Sequence, residues 1–111
     1  MRAVRITGMA VAAALLLTAC GSATITVVRT SPAASIVITS DSNAISALKP
    51  KIQPQLVAGQ SLVDGDQHSG DRVCGFTLNK NGHSYQVDAY GSLPNTTCSQ
   101  QAQQSLLALL P

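Results

Sequence analysis

The sequence predicts a small α+β domain: an antiparallel sheet with a central hairpin at about residues 72–90, packed by one or two helices. Two observations carry this expectation. Residues 72–78 and 83–90 are strand-like runs separated by Asn79-Lys-Asn-Gly82, and Asn81-Gly82 supplies the positive φ angles that a type I′ hairpin turn needs. On either side, apolar residues recur at helical spacing, with Ile45, Leu48, Ile52 and Leu56 before the hairpin and Ala102, Leu106 and Leu109 after it.

In chain order, two β-branched runs come first, Thr24-Ile-Thr-Val-Val28 and Ser35-Ile-Val-Ile-Thr39. Thr30-Ser-Pro-Ala-Ala34 would turn one into the other. The same stretch is rich in Ser, Thr and Ala, which is also the composition of a flexible tether. Residues 20–40 therefore read as tether or as edge strands. Asp41-Ser-Asn43 offers capping side chains to a helix. Pro50 and Pro54 each remove a donor and crowd the preceding turn, so this helix is expected to end near Leu48 and continue kinked or extended.

Residues 60–75 read as mostly loop, with turn formers and no hydrophobic period across 64–71. The first hairpin strand is expected to point Val73, Phe76 and Leu78 inward. In the return strand, alternation puts Tyr85, Val87 and Ala89 on one face and Ser84, Gln86, Asp88 and Tyr90 on the other. Thr96 or Thr97 would cap the last helix, with its glutamines on the polar side and Leu107 and Leu110 widening the apolar stripe. Residues 41–111 are thus the expected folded domain.

The N-terminus has a different character. Arg2 and Arg5 flank a short basic start, residues 6–17 form an apolar run, and Leu17-Thr18-Ala19-Cys20 closes it. A basic region, an apolar region of this length and small residues before a cut site are the marks of a secretory signal. The quartet resembles the lipobox of bacterial lipoproteins, and all four of its positions fit. The resemblance covers about the first fifth of the chain. It implies a signal peptide over 1–19, cleavage before Cys20 and diacylglyceryl attachment to the Cys20 sulfur, with palmitate-type acylation. A spanning helix needs about 20 apolar residues, more than this run contains. The expected product is anchored to the cell membrane or outer membrane on its extracytoplasmic side, since two or more acyl chains hold a protein stably.

Beyond Cys20 the basic residues are Arg29, Lys49, Lys51, Arg72 and Lys80, and the acids are Asp41, Asp64, Asp66, Asp71 and Asp88. That balance gives no electrostatic case for nucleic acid. With Cys20 assigned to lipid by the resemblance, Cys74 and Cys98 remain as an even pair in a compartment where disulfides persist. A domain this small benefits from such a staple. The pair would tie the last helix to the first hairpin strand.

Three features suggest chemistry. Asp64, Asp66 and His68 occupy positions 1, 3 and 5 of a calcium-type loop, but Ser69 replaces the required Gly and Gly75 stands where a bidentate Glu belongs. His83 beside the turn reads as an exposed loop residue. A Ser/His/Asp reading would recruit Ser69, Ser84 or Asp88, and no Gly-x-Ser-x-Gly elbow frames either serine. No cofactor or metal site is expected. The expectation is a non-enzymatic binding or accessory module with an envelope protein partner. The alternatives are a phage or prophage superinfection-exclusion lipoprotein and, more remotely, a calcium-dependent binder or envelope hydrolase.

Overall fold

The computed structural model describes residues 21–111. The signal segment 1–19 and Cys20 lie outside the described residues. The chain runs β1 (Ser22–Thr30), β2 (Ala33–Asp41), α1 (Ser42–Ile52), β3 (Gln60–Asp64), β4 (Arg72–Lys80), β5 (His83–Gly91) and α2 (Gln100–Leu109). The strands form one sheet in the order β3-β1-β2-β5-β4, with every neighbouring pair antiparallel. This is the α+β architecture expected, with two helices and one disulfide.

Of the two readings of residues 20–40, the structure shows strands over 22–40 and no tether there, but not edge strands: β2 is the central strand and β1 lies beside it. The reason is burial on both faces. Ile25 and Thr26 are both buried, as are Val37 and Ile38, so successive residues of each run lose their contact with water. The hairpin β4–β5 accordingly sits at one side of the sheet, not at its centre. Residues 41–111 therefore do not form the sheet alone.

The apolar face carries one cross-strand row through Ile25, Ile38, Val87 and Phe76. Tyr85 faces Leu78 in the next row. Both helices pack on this face, and Leu48, fully buried, is the centre of the α1 contribution. Burying one leucine contributes about 2 kcal/mol. Alternation in β5 matches expectation, with Tyr85, Val87 and Ala89 all inside.

Three elements differ from the expected boundaries. Helix α1 runs through Pro50 to Ile52 and only then tightens into a 3₁₀ turn at Gln53–Gln55. Proline costs the helix one backbone bond, and burial of Ile45, Leu48 and Ile52 on one face offsets it. Residues 60–64, expected as loop, are strand β3 because β1 offers them an open edge. Val73 points outward, 42% exposed, because the β4–β5 register shifts between Arg72 and Cys74. Finally, Ser99 caps α2, its hydroxyl accepting from the Ala102 N–H at 3.2 Å, rather than Thr96 or Thr97.

Candidate functional site

The connection from β3 to β4 must pass from one edge of the sheet to the other. Four strand spacings amount to about 19 Å. The seven residues between Asp64 and Arg72 reach about 24 Å when extended. This segment is therefore a taut strap, and it crosses the face opposite the helices. Gly65 N–H donates to the Thr24 carbonyl at 2.8 Å. The Thr26 hydroxyl donates to the Gly65 carbonyl at 2.6 Å and accepts from Gln67 N–H at 3.0 Å. That exchange is why a threonine is fully buried here. Farther along, the His68 ring stacks on Tyr90 with centroids 3.7 Å apart, and Gly91 N–H donates to the Asp71 carbonyl at 2.9 Å.

Asp64 pairs with Lys49 at 2.6 Å, while Asp66 meets His68 Nδ1 at 2.5 Å. Among the described residues no three His, Cys, Asp or Glu side chains form a metal-holding group. Asp64, Asp66 and His68 are thus not brought together as ligands. The His68 hydrogen bond is the main reason the Asp66 carboxyl lies below its usual range.

A second imidazole–carboxylate pair lies at the end of the sheet where β2 enters α1. His83, expected as an exposed loop residue, instead opens β5 and is part-exposed, its Nδ1 2.5 Å from Asp41 Oδ2. The other Asp41 oxygen accepts from Ala44 N–H at 2.9 Å and caps α1. That backbone bond first, and the His83 contact second, hold the Asp41 carboxyl below its ordinary 3.8. A group with a lowered folded-state pKa adds stability above its unfolded value, and loses it as pH falls through the folded one. Asp41→Asn keeps a capping side chain but removes the charge. It is expected to be less stable than the parent near about pH 6, and the gap is expected to close below the 3.8 reference as Asp41 protonates. Urea unfolding at both pH values measures this; an unchanged gap in acid contradicts it.

Among the described residues, neither imidazole is hydrogen-bonded to a hydroxyl or thiol. Ser84 serves instead through its backbone, accepting from the Ser40 hydroxyl at 2.7 Å. Asp88 is engaged by Arg72, at 3.0 Å, and the pair lies over Gly75, where a Cβ would collide with both side chains. Tyr85 is fully buried, and burial pushes its phenol above the usual range.

Cys74 and Cys98 form the expected disulfide, with Cα atoms 6.2 Å apart. Cys98 directly precedes the Ser99 cap, so the bond ties the start of α2 to β4. At the other end of α2, Lys80 Nζ donates to the carbonyls of Leu107 at 2.8 Å and Leu110 at 2.7 Å. The two helices leave a shallow apolar groove of about 190 Å³ over Val27, Ile36 and Ile38, walled by Leu56, Leu106 and Leu109. No described helix is long and apolar enough to cross a membrane.

The strap stack and the Asp41–His83 pair escaped sequence reasoning. The Asp41–His83 partners are 42 residues apart and meet only because β5 pairs with β2. For Asp41, the capping position before Ala44 was the one local signal. No protein-family model matches the chain, and no curated protein or solved structure matches it either.

Proposed function

We propose that this protein is a lipid-anchored component of a bacterial cell envelope, held through diacylglycerol on Cys20, that acts by binding rather than by catalysis. The observation that carries the reading is the division of its three cysteines. Cys74 and Cys98 are bonded to each other, which suits an oxidising compartment. Cys20 remains, and it ends a four-residue lipobox match. The two histidines support the non-catalytic half of the reading. Each is committed to a carboxylate with no nucleophile in hydrogen-bond reach among the described residues.

Intact mass of the chain purified from its own membrane tests this. The expected mass is that of residues 20–111 plus diacylglyceryl, and the remaining thiols should alkylate only after reduction. An unlipidated chain contradicts the anchor. Capture of a defined envelope protein by the lipidated form, lost when the domain is unfolded, then tests the binding role.

A further inference from the structure

The structure describes no spacer between the anchor position and the domain. Gly21, the residue after Cys20, is bound in place: its carbonyl accepts from Ser42 N–H at 3.1 Å and from the Ser42 hydroxyl at 3.0 Å. Ser22 is already paired with Asp41 in the sheet. Cys20 is one peptide farther, at most about 3.8 Å between Cα atoms. A lipid on its sulfur cannot be held far from this end of the molecule.

We propose that the end of the sheet bearing Gly21, Asn43 and the Asn81-Gly82 turn is a membrane-contact surface, resting on phospholipid headgroups with the domain standing end-on. This deepens the lipid-anchor reading and rests on it. The chemistry of that end suits a zwitterionic headgroup layer. Two of its charged side chains are held within the protein: the Asp41 carboxylate pairs with His83 and accepts from the Ala44 N–H, and the Lys80 ammonium donates to two carbonyls at the α2 terminus. Beside the part-exposed Asp41–His83 pair it presents neutral hydrogen-bonding side chains, in Ser42, Asn43 and Asn81. Among the described residues no cluster of Lys or Arg lies at this end to call for an anionic lipid.

The opposite end lies about 26 Å away along β1, eight residue steps of a strand. It carries the β1–β2 turn and, beside it, Val57, since Gly59 accepts from Thr30 N–H at 3.3 Å. Val57 is 65% exposed. The two ends are therefore separable by a short-range probe.

The chain contains no tryptophan, so a single one reports its own position. Asn43→Trp and Val57→Trp are each made in the full, lipid-processed protein and placed in phosphatidylcholine vesicles doped with headgroup-nitroxide phosphatidylcholine. Ser84→Trp, on an exposed β5 position next to His83, replaces Asn43→Trp should the latter disturb the α1 cap. The expected result is severalfold stronger quenching at position 43 or 84 than at 57. Equal quenching at both ends, or none at either, overturns the end-on contact when the same samples carry diacylglyceryl by mass. Samples without the lipid mass overturn the anchor reading itself and this surface with it.

Discussion

Replacing Gly91 with alanine is expected to be the most damaging single-methyl change in this protein, lowering stability by about 3–5 kcal/mol. Gly91 ends β5 with φ at +89°, a backbone conformation that side-chain-bearing residues rarely adopt. A Cβ there would lie 2.5 Å from the Ala33 carbonyl oxygen and 2.9 Å from the Ala34 Cα. Both atoms belong to the backbone of the central strand, so neither can turn aside. The strap meets the same point, because Gly91 N–H bonds to Asp71. Moving Gly91 would therefore strain β2 and loosen the strap together. The matched control is Gly82→Ala, with a similar φ of +80° but open space around its Cβ. It should cost only about 1–2 kcal/mol, the conformational share alone. For a domain of this size, thermal unfolding should place G91A about 15–30 °C below the parent, with G82A much closer to it. Equal losses in the two variants would show that close approach to β2 contributes nothing.

Why some of this was legible in the sequence and some was not follows from the range of each interaction. The β4–β5 hairpin was legible because its turn chemistry lies within Asn81-Gly82, and its inside–outside pattern within one strand. The disulfide followed from three cysteines and a compartment. Strand β3 was not legible: Gln60-Ser-Leu-Val-Asp64 has a weak strand pattern and is ordered by β1, a partner thirty-odd residues earlier. Thr26 offered no sign of burial, because the groups that satisfy it, Gly65 and Gln67, arrive only with the strap. The strap in turn requires that β3 and β4 occupy opposite edges, a fact about strand order. Spacing alone made Asp64, Asp66 and His68 look like a ligand set. In the fold Asp64 turns to Lys49, and only Asp66 and His68 meet.

Removing the disulfide should have a comparably large and more local effect. The bond joins residues 24 apart in sequence. Closing a loop of that size restricts the unfolded chain by about 3 kcal/mol in the chain-entropy model. A small domain has a total stability on the order of 5 kcal/mol, so this is a large fraction of it. The loss should not be evenly spread. Helix α2 has no fully buried residue within its own span, and the apolar groove leaves part of its inner face uncovered. It is held by half-buried Leu106, Leu107 and Leu109, by Leu110 just beyond it, by Lys80 at its end and by Cys98 before its start. With Cys74 and Cys98 both changed to serine, amide exchange should rise first in α2, while β2 and β5 keep their protection until the whole domain unfolds. The urea midpoint should fall in step with the lost 3 kcal/mol or so. Unchanged exchange in α2 would mean that the leucines and Lys80 hold the helix unaided. Loosened exchange there alone would identify the disulfide as what closes the helical layer over the sheet, a closure available only where the bond can form and persist.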